Sequence, residues 1–318
     1  MTPAQLSRTV RHAVCRAVED GVLRVAVPDD VRMERPRPGG CGDWATGVAL
    51  RLAGDAGEPA RVVAERLRER IADRPGVAAV EITGPGFLNI TLSGDPAGRQ
   101  REIVAGAEGA VRSIADARRS YPPLPGSRAV VWDEVVGLLR RIDGSDSDTA
   151  DGHVRRPKVV DHPDTTAVLG ADATRWAFLS VAARDAPRAG AGLLRQHETN
   201  PLFTVRYAHA RARALSRNAA ALGFGADRAE YAETDVERWI ADFPGALGAA
   251  ARLRAPDRVA RHLEGTADAL LGLQPAVLPV GEEKPLAAHR SRLALAEAAG
   301  AVLAGGLSLL GISAPDHW

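Results

Sequence analysis

The chain has 318 residues, of which 45% are hydrophobic and 25% are charged. This composition is typical of a globular protein with one large domain or two smaller ones, and it excludes an intrinsically disordered chain. The 41 basic side chains nearly balance the 40 acidic ones, which gives a net charge of +1. Tight, unselective binding to nucleic acid requires a larger positive charge, so any affinity for RNA must come from local patches.

The sequence shows no targeting, membrane or metal-binding pattern. No apolar run approaches the roughly 20 residues needed to span a membrane, and the first residues are typical of an amphipathic helix rather than a signal peptide. We therefore expect a soluble, cytoplasmic protein. Cys15 and Cys41 have no CxxC spacing, and the eight histidines are scattered singly. These spacings favour a protein without a metal or cofactor.

Residues 1–95 predict a small α/β domain. Apolar residues at helical spacing after Pro3 predict a first helix, and residues 22–27 predict a short strand. Further helices are predicted to begin at Asp43 and at Pro59, because a side-chain cap and a proline are both common at helix starts.

A β-hairpin is the clearest local pattern in this domain. Apolar and polar residues alternate over 80–83 and over 87–92, on either side of the turn residues 84–86. Side chains alternate across a strand, so Phe87 and Asn89 share the face opposite the apolar row. An aromatic ring beside an amide on a solvated sheet face is a candidate binding surface.

Residues 96–154 predict a linker that contains one or two short helical segments. Apolar spacing over 99–119 favours a helix, but the prolines at 122, 123 and 125 end it, and the Gly/Ser/Asp-rich segment 144–148 is typical of linkers.

Residues 155–318 predict a bundle of five or six helices. Asp172 and Asn200 are predicted caps, and Pro244, Pro256 and Pro285 each predict the start of a further helix. The predicted fold class is α+β, in which a linker joins a small N-terminal α/β domain to an all-α helix bundle.

One helix of this bundle carries a basic stripe. The segment 201–218 contains four arginines and no acidic residue, and Arg206, Arg213 and Arg217 fall near one helix face. This stripe favours contact with phosphates. The alternative is a solvated or acid-paired face, with partners supplied by the acidic stretch 227–237.

Several segments resemble arginyl-tRNA synthetases. The strings GDWATGVALRLAGDAGEPARVVAERLRERI and GVAAVEITGPGFLNITL resemble the N-terminal additional domain of that family. The strings GADATRWAFLS, NPLFTVRYAHARARAL and LAGGLSLLGISAP resemble its helical, DALR-type anticodon-binding domain. The resemblance covers residues 1–95 and 155–318.

The catalytic motifs of that family have no counterpart in the printed sequence. A His-x-Gly-His motif is absent, and the stretch GHVRRPKVVDHPD occupies the position of the Lys-Met-Ser-Lys-type loop. Counting back from GADATR places Val154 where the family's lysine steadies ATP phosphates, and an isopropyl group cannot stabilise that charge. We therefore expect a protein that is not an enzyme.

The resemblance implies a non-catalytic tRNA-binding protein. Its N-terminal domain would contact the tRNA elbow and its helical domain the anticodon stem-loop, with tRNA as the expected partner and tRNA-Arg as one candidate among the tRNAs. Unpaired bases are recognised by stacking and by hydrogen bonds to splayed edges. The candidate tRNA-binding residues are Phe87, Asn89, Arg206, Tyr207, His209, Arg211, Arg213, Arg217 and Trp318.

Two other functions stay open at this point. The first is a protein-interaction or regulatory pseudo-synthetase that does not bind RNA, which the near-neutral charge favours. The second is an arginine-tRNA ligase function that depends on a separate catalytic subunit.

Overall fold

The computed structural model describes residues 1, 3–34, 36, 41–144, 157, 165–228 and 234–317. Two compact units are present, Met1–Glu102 and Ile103–Trp318. The described residues form ten α-helices and one three-stranded antiparallel sheet, which lies in the first unit. The predicted α+β class is confirmed.

Helix α1 (Pro3–Glu19) opens the first unit. Its apolar residues are fully buried at helical spacing, namely Leu6, Val10, Ala13, Val14 and Ala17. The strand predicted over 22–27 is wrong. The amides of Val22 and Leu23 both bond to the carbonyl of Ala17, next to Gly21 with a φ of 70°. This backbone closes the helix, and therefore cannot also pair with a sheet.

Strand β1 (Trp44–Thr46), helix α2 (Val48–Ala56) and helix α3 (Ala60–Ala72) follow. Helix α3 begins after Pro59, as predicted. Asp43 does not cap α2. Its carboxylate accepts the backbone N–H of Leu92 at 2.7 Å and pairs with a guanidinium of the same unit. Strand β1 was missed because three residues are too few for a visible alternation.

The predicted hairpin is present as β2 (Val77–Thr83) and β3 (Phe87–Leu92). The sheet order is β1-β3-β2, so β3 is the central strand. Leu88 and Ile90 of β3 are fully buried among apolar residues of α1, α2 and α3.

The connector expected over 96–154 differs from the structure. Its described part is mostly helix α4 (Pro96–Ser120) and helix α5 (Arg128–Ile142). Apolar residues of both helices are buried in the core of the second unit, namely Ile103, Val104, Ala107, Ile114, Val131, Trp132, Val135, Leu138 and Leu139. The proline-rich segment between the helices suggested a linker, but the burial of their apolar faces makes α5 and most of α4 part of the second unit.

The second unit continues with α6 (Thr165–Leu179), a 3-10 helix (Ala191–Leu194), α7 (Pro201–Ala221), α8 (Asp235–Arg252), α9 (Asp257–Leu273), a second 3-10 helix (Gln274–Ala276) and α10 (Ala287–Leu309). Pro256 and Pro285 precede helices, as predicted. Pro244 does not open a helix, because α8 has already begun at Asp235 and contains it.

Helix α10 is the central apolar helix of this unit. Contrary to the expectation that no segment is long and apolar enough to cross a membrane, this helix is so by length and composition, but 72% of its apolar window is buried inside the protein. Its residues contact α7, α8 and α9. Helix α10 is therefore part of the core of the helix bundle.

Candidate nucleic-acid interface

Helix α7 begins with a well-formed cap. Asn200 accepts the N–H of Leu202 at 3.1 Å, and its amide group donates to the carbonyls of Leu193 and Arg195 at 2.8 Å each. Pro201 occupies the first helical position, as predicted. Because one side chain bonds both the preceding loop and the helix start, the cap fixes the direction in which α7 leaves the loop.

The basic stripe lies beside the apolar face of α7. That apolar face is buried through Leu202, Val205, Ala208, Ala212, Leu215 and Ala219. Arg213 and Arg217 are exposed, and Arg206 is half-buried. The structure thus brings the three arginines to one side of the helix, as their spacing predicts.

The C-terminal segment 310–317 lies along this stripe. Nε of Arg213 lies 3.2 Å from Oδ1 of Asp316, and Arg217 donates to the backbone carbonyl of Asp316 at 3.3 Å. Arg206 donates to the Ser313 hydroxyl at 3.0 Å and lies 3.7 Å from Asp172. Each arginine of the stripe therefore meets the C-terminal segment.

His209 is buried beneath the same contact. Its Nδ1 lies 3.0 Å from the carbonyl oxygen of Gly300, and its Nε2 lies 3.3 Å from Oδ1 of Asp316. Both partners are acceptors, so the two hydrogen bonds exist together only when both ring nitrogens carry a proton.

Asp316 is held in its ionised form. Loss of hydration opposes ionisation, but the charge of Arg213 and the hydrogen bond with His209 outweigh it, so the pKa of Asp316 is lowered. Nothing in the sequence points to Asp316, and the acidic stretch 227–237 was the expected partner. Asp235 and Glu237 of that stretch instead lie in the first turn of α8, where acids interact favourably with the helix dipole.

Two other predicted residues of α7 lie away from Asp316. Tyr207 stacks on Phe203 with ring centroids 5.5 Å apart, and Arg211 donates to the side chain of Gln274 at 3.3 Å. Trp318 lies outside the described residues. The structure therefore groups Arg206, His209, Arg213 and Arg217 into one surface with the C-terminal segment, which we call the α7 basic surface.

A cleft of about 460 Å³ opens beside this surface. Its lining includes Asp172, Gln196, Asn200, Phe203 and Arg206. An aromatic ring with several amide and charged groups is a lining that suits a nucleobase.

A buried ionic cluster anchors the end of α10 and so positions the C-terminal segment. Glu134 of α5 accepts hydrogen bonds from Arg118 of α4 and from Arg175 of α6. Burial lowers the pKa of Arg118, against the opposing effect of Glu134, although a guanidinium stays charged. Arg175 also donates to the carbonyl of Leu310 at 2.6 Å. We call Arg118, Glu134 and Arg175 the buried cluster.

In the first unit, Phe87 and Asn89 do share one face of β3, as predicted. Asn89 is only 4% exposed, however, and donates to the Thr83 hydroxyl at 3.1 Å. The expectation of a solvated amide is therefore wrong. The hydrogen bond with Thr83 links β3 to β2 instead. Phe87 is partly exposed.

Comparison with known proteins assigns both units. Residues 4–92 match the arginyl tRNA synthetase N terminal domain, and residues 205–317 match the DALR anticodon binding domain. Part of each unit therefore resembles a known domain, the first that of arginyl-tRNA synthetases and the second an anticodon-binding domain. An arginine–tRNA ligase of Frankia alni is 50% identical over 109 residues, which are 34% of this chain and 20% of that protein. One from Paenarthrobacter aurescens is 37% identical over 192 residues, 58% of this chain and 34% of that protein.

A solved structure has a similar fold. The Thermus thermophilus arginyl-tRNA synthetase aligns with a TM-score of 0.58 and 13% identity, over 98% of this chain and 100% of that chain. The chain spans between 20% and 34% of the length of the two ligases above. The α7 basic surface falls inside the DALR anticodon-binding match, and Phe87 falls inside the N-terminal match. Neither matched domain is a catalytic domain.

Proposed function

We propose that this chain is a non-catalytic tRNA-binding protein that works in the cytoplasm. The observation that carries the proposal is the α7 basic surface, which places three arginines and a histidine on one side of a helix within an anticodon-binding domain. One guanidinium group can donate two parallel hydrogen bonds to two oxygens of a phosphate. This surface therefore suits the phosphate backbone of an anticodon stem-loop.

Base contacts would come from the groups beside this surface. The stacked pair of Phe203 and Tyr207 offers an aromatic platform near Arg206, and the adjoining cleft is large enough for a splayed base. Stacking on aromatic rings tolerates all four bases, whereas hydrogen bonds to base edges discriminate between them. Gln196 and Asp172 are the polar groups in the cleft that suit discrimination.

The first unit would contact the tRNA elbow through Phe87. A partly exposed aromatic ring can stack on an unpaired base of the D-loop. Asn89 would act indirectly in this contact, because its amide group is occupied by Thr83 and Cys41. Substitution of Asn89 would then disturb the strand pair rather than remove a base contact.

The absence of catalysis is part of the proposal. Adenylate formation in the related ligases needs groups that stabilise the charge on ATP phosphates, and the printed sequence has Val154 at the position of the phosphate-binding lysine. We expect neither arginine-dependent exchange of pyrophosphate into ATP nor charging of tRNA by the purified chain.

One titration tests the binding proposal. Fluorescent tRNA-Arg and a duplex RNA with the same number of phosphates are titrated with the protein at several salt concentrations. We expect tighter binding to the tRNA, because a duplex offers phosphates without unpaired bases. Equal affinity for the two RNAs would reduce the proposal to unselective charge attraction.

A second function is supported by one specific observation. Asp172 and Asp316 already pair with arginines of the stripe, which is what a protein-interaction or regulatory module without RNA binding would show. Failure to bind any tRNA would favour this module. Charging that appears only when a separate catalytic subunit is added would instead support a ligase function shared between two chains.

A further inference from the structure

We propose that the carboxylate of Asp316 occupies an anion site formed by His209 and Arg213, with Arg217 holding the backbone of the same residue, and that an RNA phosphate displaces this carboxylate. This inference rests on the proposed function, because it states how the α7 basic surface is regulated. The chain would then carry its own competitor for RNA in its C-terminal segment.

The geometry around Asp316 is that of a bound anion. One carboxylate oxygen lies 3.3 Å from Nε2 of His209 and 3.2 Å from Nε of Arg213. Arg217 donates to the backbone carbonyl of the same residue at 3.3 Å. Three donors from one helix, on residues four apart along the chain at 209, 213 and 217, converge on a single residue. A phosphate oxygen accepts the same hydrogen bonds as a carboxylate oxygen.

The ion pair between Arg213 and Asp316 is also exposed to solvent, so it can break. The side chains of Asp316 and Arg213 are each 54% exposed, and exposed ion pairs are weak because water and salt compete with them. Helix α10 ends at Leu309, and residues 312–315 have no regular secondary structure. Release of Asp316 therefore breaks no helix or strand.

A separate anchor keeps the rest of the segment in place. Ile312 is buried in the core, and Ser313 is bound to both Asp172 and Arg206. Movement confined to residues after Pro315 is therefore enough to vacate the anion site. Ile312 and Ser313 therefore anchor the segment, whereas the carboxylate of Asp316 can leave its contact with Arg213 without moving that anchor.

The direct test removes the negative charge of the Asp316 side chain and keeps its size and shape. Asp316→Asn is compared with Asp133→Asn, which removes one carboxylate from an exposed position on α5. We expect Asp316→Asn to bind tRNA about two- to fivefold more tightly than the control, the range expected for release from one exposed ion pair. Its affinity should also depend more steeply on salt, by about one unit of slope, because no displaced carboxylate takes up a cation.

The same affinity and the same salt slope for the two variants would overturn the inference. If neither variant binds tRNA, the proposed function fails, and inorganic phosphate then decides the inference. At constant ionic strength, phosphate should raise the Tm of Asp316→Asn to a plateau, and Arg213→Ala in the same protein should abolish the rise. If phosphate raises the Tm of Asp316→Asn no more than it raises the Tm of the Asp133→Asn control, there is no anion site.

Discussion

Two groups of arginines meet the C-terminal part of this chain, and they differ in burial. In the buried cluster, Arg118 and Arg175 both pair with Glu134; each arginine side chain is 7% exposed and that of Glu134 is 5% exposed. On the α7 basic surface, Arg213 meets Asp316 with both side chains 54% exposed. Both groups pair cations with a carboxylate, so charge alone cannot tell them apart.

The difference in burial separates a structural function from a binding function. A buried guanidinium cannot leave its carboxylate, because an unpaired charge in a low-dielectric interior costs several kcal/mol. An exposed pair contributes about 0–1 kcal/mol and exchanges readily with phosphate or water. The buried cluster therefore fixes where the C-terminal segment starts, and the α7 basic surface is available to a ligand.

The largest expected effect comes from the buried cluster. Glu134→Ala leaves Arg118 and Arg175 without their shared carboxylate, so we expect the free energy of unfolding to fall by about 3–5 kcal/mol. Urea unfolding measures this change. Asp133→Ala, at the neighbouring exposed position of α5, is the control. A loss for Glu134→Ala no greater than that for the control would mean that the cluster is not structural.

His262 extends the comparison to a buried basic side chain that stays uncharged in the folded protein above about pH 4. It packs against Trp239 and Phe243, with ring centroids 5.3 Å and 5.6 Å away, and burial lowers its pKa to about 4 against an opposing backbone hydrogen bond at Trp239. The unfolded state takes up a proton near pH 6.5, whereas the folded state does not until about pH 4. Stability should therefore fall by on the order of 3 kcal/mol as pH drops through this window.

Replacement of this histidine checks the assignment. In His262→Leu the loss of stability between pH 6.5 and 4 should be much smaller, as followed by urea unfolding at each pH. The control is His197→Leu, which removes an exposed histidine of the same unit. An unchanged pH profile in His262→Leu would assign the acid sensitivity to other groups.

A smaller effect is expected at Trp318, which lies outside the described residues. The sequence predicts that its indole ring stacks on a base of the anticodon loop. Trp318→Ala should weaken tRNA binding by about 1–3 kcal/mol with little change in salt slope, because stacking releases no counterions. Tighter binding together with a steeper salt slope would indicate that the substitution had released the neighbouring Asp316 contact instead.

The sequence predicts those features that depend on local chemistry. The Asn200 cap, the hairpin at β2 and β3, and the shared face of Arg206, Arg213 and Arg217 follow from residue type and spacing. Other features depend on distant contacts. Asp316 lies about a hundred positions from its arginine partner, and no spacing rule connects the two. The burial of α4 and α5 was missed for the same reason, since their apolar faces meet partners far along the chain.

The central claim is that the α7 basic surface binds tRNA phosphates. The most direct measurement is the slope of tRNA affinity against salt for the double variant Arg213→Glu, Arg217→Glu. The matched control is Arg184→Glu, Arg258→Glu, which reverses two exposed charges elsewhere in the same unit. We predict weaker binding to every tRNA and a slope flatter by roughly two units, one for each lost phosphate contact. An affinity and a slope equal to those of the control would contradict the claim and favour the protein-interaction module.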